Sequence, residues 1–237
     1  MTDGRNSSVS PQPQAIAVSR LFSGVPETIR EELTRAAHPV SIAKHARLFE
    51  QGDAGETMYL VQRGRIEISI LSEAGRKIVL NHIPEGHCFG EVSMVDGQKR
   101  TASAIAVTPS VVLPITRQCF LKAARDCPQL AINLTEILCE RLRWVSASVE
   151  EYALMSLDLR LARRLISLHA RFGGASGNIA VTQSDLADHV GATRESTNKI
   201  LMRWKDNEIV AMKRGEIQIR DMTALERIAH GELSAQA

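Results

Sequence analysis

The feature that most restricts the fold is a change of hydrophobic period along the chain. From Val40 to about Ile115 apolar residues recur at alternate positions, plainly at Ile66, Ile68 and Ile70 and again at Ile78 and Leu80, as one-sided strands require. Gly52, Gly55, Gly64, Gly75, Gly86, Gly90 and Gly97 punctuate this run, as hairpin turns do where the backbone must reach positive φ. An antiparallel β-roll or barrel is the expected result. After Pro128 the pattern becomes helical: Leu138, Leu142, Val145, Val149 and Tyr152 fall at alternating spacings of four and three, which is a heptad seam. Such a helix can lie on its own domain or pair with a second copy. The length of the seam, with Trp144, Ala147 and Ser148 beside it, favours a homodimer.

A chain of 237 residues with 44% hydrophobic content can bury the cores of two small domains. The expected boundaries are an unstructured polar tail over 1–18, a β-roll domain over 19–127, a dimerisation helix and hinge over 128–157, and a last domain over 158–237. A short helix from Pro26, carrying Ile29, Leu33 and Ala37, is expected to cover the sheet. Asp158 is the expected N-cap after the hinge. The connector FGGASGN (172–178) lacks the Lys and Ser/Thr of a phosphate loop. Cys88, Cys119, Cys127 and Cys139 are unclustered, which suits reduced thiols, and no membrane span or signal-peptide core is present, so a cytoplasmic protein is expected. Formal charge is only +2, so any nucleic-acid footprint must be local.

Two stretches carry chemistry. The first, FGEVSMVDGQKRTASA from Phe89 to Ala104, opens with Gly90, Glu91 and Val92 and closes with Arg100, Thr101 and Ala102, with a turn at Asp96 and Gly97. A guanidinium, closely approachable backbone N–H groups and a carboxylate acceptor are what a small anion with a sugar attached needs. The plainer reading is a surface hairpin with an ordinary Glu91–Arg100 ion pair. The run resembles the phosphate-binding cassette of cyclic-nucleotide-binding domains, which fixes identity and spacing together. The resemblance implies that Arg100 holds a cyclic phosphate with help from Thr101 and that Glu91 takes the ribose hydroxyl. In that family the long helix joins two subunits and closes over the nucleotide, which makes Arg141, Ser146 and Ser148 candidates to touch the base. Val145 stands where the cyclic AMP receptor branch has a base-reading threonine, and Arg100-Thr101 also occurs in cyclic-GMP cassettes. The implied effector is therefore cyclic AMP with cyclic GMP tolerated, and no metal.

The second stretch runs from Val181 to Trp204. Thr182 can cap a helix holding Leu186, Ala187 and Val190, Gly191 permits a tight turn, and a second helix starts near Thr193 with Ile200 and Leu201 inward. That is a helix-turn-helix. Arg194, Glu195 and Lys199 are the candidate base readers, with Thr193, Thr197 and Asn198 as further candidates for DNA contact, since Arg can donate twice to guanine and Glu can accept from cytosine. Thr182, Gln183, Lys205, Lys213 and Arg214 are candidate phosphate contacts, the last two on a two-stranded wing formed by 209–211 and 217–219. From Arg194 to Arg214 there are six basic and three acidic residues, a local basic face. The segment resembles the reading module of the Crp/Fnr superfamily, with Lys199 where the cyclic AMP receptor branch has arginine. The whole is identified as an α+β member of that superfamily: an N-terminal antiparallel β-roll that binds cyclic nucleotide, a long dimerisation helix and a C-terminal winged helix-turn-helix. The resemblance implies a homodimer on double-stranded DNA at TGTGA-like half-sites, with RNA polymerase as a further partner and no membrane. An iron-sulfur or haem sensor on the same scaffold, with Cys88 and His87 as the haem candidates, is the alternative reading. No metal cluster or activated nucleophile suggests an enzyme.

Overall fold

The computed structural model describes residues 19–35, 37–73, 77–172, 178–213 and 215–232. The 1–18 tail, Gly75, most of the 172–178 connector and Arg214 lie outside the described residues. The chain divides into two compact units, the first ending at Leu142 and lacking Leu71–Val79, the second comprising Leu71–Val79 and the chain from Arg143 onward. The division falls inside one continuous helix.

In the first unit a 3-10 turn (Arg20–Phe22) precedes α1 (Glu27–Arg35). Strands β1 (Val40–Ile42), β2 (Arg47–Phe49), β3 (Thr57–Arg63), β4 (Ile66–Leu71), β5 (Lys77–Ile83), β6 (Cys88–Phe89), β7 (Ser103–Ala106) and β8 (Ser110–Thr116) form two antiparallel four-stranded sheets. Their orders are β1-β8-β3-β6 and β2-β7-β4-β5. Between β6 and β7 the chain makes α2 (Glu91–Asp96), and after β8 come α3 (Arg117–Asp126) and the start of α4 (Pro128–Leu154). The alternation that predicts the strands also fills two cores. Ile42, Val61, Ile66, Phe89, Ala104 and Val112 pack together between the sheets, while Met58, Leu60, Leu113 and Ile115 meet Leu33, Phe120, Leu130 and Leu134 from the helices. The expected cover helix is thus present and buries Leu33.

Two seam residues have other partners. Leu138 packs against the first unit's own core, and Tyr152 is half-buried with its ring beside Gly191. The exposed apolar stripe that remains is Leu142, Val145 and Val149, at 67%, 45% and 60% exposure.

In the second unit α5 (Leu157–Phe172) begins at Ser156, whose hydroxyl accepts from Leu159 N. Ser156, not Asp158, is therefore the cap, and Asp158 in the first turn pairs with Arg203. Then follow β9 (Asn178–Ala180), α6 (Gln183–Val190), α7 (Arg194–Asp206), β10 (Val210–Lys213), β11 (Glu216–Ile219) and α8 (Met222–Ala229). The wing has three strands, ordered β10-β11-β9, because Asn178–Ala180 leaves the connector to pair with Glu216–Gln218. The core joins Leu161, Leu165, Leu186, Leu201, Trp204 and Leu225. Gly191 closes α6 at φ +63°, and a Cβ there would lie 2.9 Å from Tyr152 Cε1. Gly191→Ala combines a left-handed backbone with that clash, so it should cost at least about 1 kcal/mol. Calorimetry should show an unfolding midpoint lower by a few degrees, whereas Gly97→Ala, with nothing near its Cβ, meets only the backbone cost.

Candidate functional sites

In the first unit, Phe89 ends β6 inside the core and Gly90, at φ +75°, turns the chain into α2. Gly97, at φ +72°, ends that helix by donating to Ser93 O, where the sequence had suggested only a turn. The return leg brings Arg100, Thr101 and Ala102 back beside Gly90. Glu91 is fully buried and Arg100 is 5% exposed, so the surface hairpin is excluded, and the two charges have separate partners.

Arg100 Nη1 donates to Gly90 O at 2.7 Å and to Ser93 Oγ at 2.8 Å, and Nη2 donates to Thr57 O at 2.6 Å. Its guanidinium carbon stands 4.1 Å above the Phe49 ring, which packs with Tyr59 and Phe89 in one aromatic group. Such a stacked, desolvated cation is worth more than an exposed one. Gly55 does not serve as a positive-φ turn residue. A Cβ at Gly55 would lie 2.5 Å from both Arg100 Nε and Ser93 Oγ, so its missing side chain leaves room for the guanidinium. Burial lowers the Arg100 pKa from its ordinary value.

Glu91 is held by α4. Arg141 Nη1 donates to Oε1 at 2.6 Å and to Oε2 at 2.8 Å, while Arg141 Nη2 bonds the Cys88 carbonyl. Burial pushes the Glu91 carboxyl above its ordinary value against the opposing pull of Arg141. Phe49, Ile68, Gly90, Glu91, Val92, Ser93, Arg100, Thr101, Ala102 and Arg141 line one cavity of about 40 Å³. Six of the expected ligand residues thus come together. Ser146, exposed, and Ser148, bonded to Trp144 O, lie further along α4 in the second unit and do not line this cavity. Phe49, Gly55, Thr57, Tyr59 and Ser93 were missed. Ser93 lies inside the cassette and was the one available from its position, whereas the others come from strands and loops remote in sequence.

In the second unit, Thr182 and Asp185 form a reciprocal capping box at the start of α6. Thr193 caps α7 by accepting from Ser196 N at 3.1 Å. Arg194, Glu195, Ser196 and Lys199 are exposed and Asn198 is half-buried, while Thr197, Ile200, Leu201 and Trp204 face the core. Thr197, fully buried, is a correction: its hydroxyl points into the protein and cannot reach a base edge. Thr182, Gln183, Ser184, Arg194, Lys213 and Gly215 are among the residues around a cavity of about 240 Å³ at the start of both helices. Lys205 is exposed and instead borders a separate groove with Asn207, Glu208 and Arg220.

The thiols follow the same burial. Cys88 is buried with its thiol pushed up to about 12, first by burial and then by the Glu91 charge, whereas Cys139 is exposed. At neutral pH alkylation should therefore take Cys139 first and leave Cys88 and Cys127 untouched until the protein unfolds, as mass spectrometry of native and denatured protein checks. Because burial raises the Cys88 thiol, a moderate rise in pH should leave it unreactive while the protein stays folded.

Comparison with known proteins assigns both halves. The cyclic nucleotide-binding domain family matches residues 39–127, and the Crp-like helix-turn-helix domain family matches residues 159–228. A CRP-like cAMP-activated global transcriptional regulator of Mycobacterium tuberculosis is 27% identical over 221 residues, 91% of this chain and 99% of the relative. A Cyclic AMP receptor protein of Thermus thermophilus is 29% identical over 184 residues, 78% of this chain and 84% of the relative. A transcriptional regulator of the Crp/Fnr family from Eubacterium rectale shares the fold, with TM-score 0.76 and 21% identity over 90% of this chain and 99% of that one. With a cyclic-nucleotide domain before its long helix and a Crp-like reader after it, the chain belongs to the Crp/Fnr family of DNA-binding transcription regulators.

Proposed function

We propose that this regulator is switched by cyclic AMP, with cyclic GMP tolerated, and binds a palindromic TGTGA-like DNA site as a homodimer. The observation that carries this reading is the pair of buried opposite charges on one cavity, Arg100 and Glu91, framed by Gly90, Thr101 and Ala102. A cyclic phosphate meets the guanidinium and Thr101, and a ribose hydroxyl meets the carboxylate. The cavity of about 40 Å³ is far below the roughly 300 Å³ that small-molecule sites begin at, so side chains must part for a nucleotide. Arg141 occupies both Glu91 oxygens, and a ribose hydroxyl competes with it directly. Binding thereby acts on α4. Ser146 and Ser148 are the base-side contacts, and Leu142, Val145 and Val149 form the seam between subunits.

On the reading face, Arg194, Glu195, Asn198 and Lys199 address base edges, and Thr182, Gln183, Thr193, Lys205, Lys213 and Arg214 hold phosphates. The two half-sites lie about one helical turn apart. Lysine at 199 is a point charge without a fork, so discrimination at its base is looser. Coupling is reciprocal, and DNA tightens nucleotide binding as nucleotide tightens DNA binding. RNA polymerase is the partner through which such a bound dimer acts, in the cytoplasm.

Fluorescence anisotropy of a TGTGA-containing palindromic duplex at fixed salt tests this, with no nucleotide, cyclic AMP or cyclic GMP. Either nucleotide should tighten specific binding, and Arg100→Leu should abolish the response while circular dichroism shows a folded protein. Unchanged affinity in the wild type with both nucleotides would overturn the effector. For the reader, Arg194→Ala should cost about 1 to 3 kcal/mol and relax preference at a single base position. Equal weakening on all sequences would make Arg194 a phosphate contact.

A further inference from the structure

The Arg100 guanidinium has five N–H donors, and the protein takes three of them. Both Nη1 hydrogens are used, on Gly90 O and Ser93 Oγ, and one Nη2 hydrogen goes to Thr57 O. Nε is buried and has no hydrogen-bond partner among the described residues. An orphaned buried donor on a cation is costly unless a ligand satisfies it. Nε and Nη2 share one edge of the planar guanidinium, the edge that grips two oxygens of an anion at once. The plane itself cannot tilt freely, with Phe49 at 4.1 Å on it and the backbone of Gly55 close by.

Ser93 is what makes this choice of edge. It is 2% exposed, lies in α2 opposite Arg100, and its Oγ also donates to Gly90 O at 3.4 Å. Gly90 O and Thr57 O are backbone acceptors that any sequence would supply in this fold, whereas the Ser93 hydroxyl is a side chain that can be removed alone. Without it, one Nη1 hydrogen is free and the guanidinium keeps only two of its three hydrogen bonds, to Gly90 O and Thr57 O, so its in-plane orientation is less tightly fixed.

We infer that Ser93 is a positioning residue for effector binding: it ties down Nη1 so that Arg100 presents its Nε–Nη2 edge to the two exocyclic oxygens of a cyclic phosphate. This rests on the cyclic-nucleotide reading above and adds to it the orientation in which the phosphate is held. A fixed edge distinguishes the two exocyclic oxygens, because one sits nearer Nε and the other nearer Nη2. The pocket should therefore discriminate between the Rp and Sp phosphorothioates of cyclic AMP, in which sulfur replaces one or the other oxygen.

The test measures dissociation constants of cyclic AMP and of its Rp and Sp phosphorothioates for the full-length wild type, Ser93→Ala and Ser93→Thr. Ser93→Ala should weaken cyclic AMP about tenfold, the equivalent of about 1.4 kcal/mol, and bring the Rp/Sp ratio close to one. Ser93→Thr keeps the hydroxyl and should keep the ratio even where its extra methyl lowers affinity. A merely structural serine would change affinity for all three ligands alike, so an unchanged ratio in Ser93→Ala overturns the positioning role while leaving the cyclic-nucleotide reading intact. Wild-type protein that binds none of the three overturns that reading, and this inference with it.

Discussion

Two charges buried in a β-roll set the terms for the first unit. A carboxylate and a guanidinium withdrawn from water cost several kcal/mol each unless they are paired and hydrogen-bonded. The fold answers with two separate arrangements. Arg100 is met by two backbone carbonyls, a serine hydroxyl and an aromatic face, and Glu91 is met by Arg141 from α4. Gly90 serves both, since its left-handed turn starts α2 at Glu91 and a Cβ on it would lie 2.7 Å from Arg100 Nη1. The cassette is thus a local solution to a desolvation problem that becomes a binding site where a ligand can replace one of the partners.

In the second unit the constraint is alignment. A reading helix is useful only if its exposed face is fixed, and α7 is fixed at several points. Thr193 caps its start, Ile200, Leu201 and Trp204 bury its inner face, and Arg203 pairs with Asp158 on α5. Tyr152 packs on Gly191 in the turn before it, donates to His189 O at 3.4 Å and lies beneath Arg160 at 5.1 Å. Burial raises the Tyr152 phenol above its ordinary value.

What could be read from the sequence was whatever local pattern dictates. Strand period, the helical spacing after Pro128, the caps Thr182 and Thr193 and the turn at Gly191 are short-range signals, and all correspond to real elements. The cassette residues were legible because they lie in one stretch. Contacts made across the roll were not: Phe49, Thr57 and Gly55 reach Arg100 only after β2 and β3 are folded around it. Strand β9 hid inside a glycine-rich connector because three residues are too few to show a period. Thr197 was a DNA-contact candidate by its place in the reading segment, but the helix phase puts it on the same side as Ile200, Leu201 and Trp204. Tyr152 fitted the heptad rule and still has an intrachain partner, because spacing assigns a face and not the neighbour that covers it.

Helix α4 distributes its side chains by simple geometry. At 100° per residue, Arg141 and Tyr152, eleven positions apart, point in directions only about 20° different. Leu142, Val145 and Val149 lie roughly 40° to 100° round from Arg141 by the same count. The apolar, exposed stripe is therefore set round the helix from the side chain that holds Glu91, and spacing alone separates the two roles.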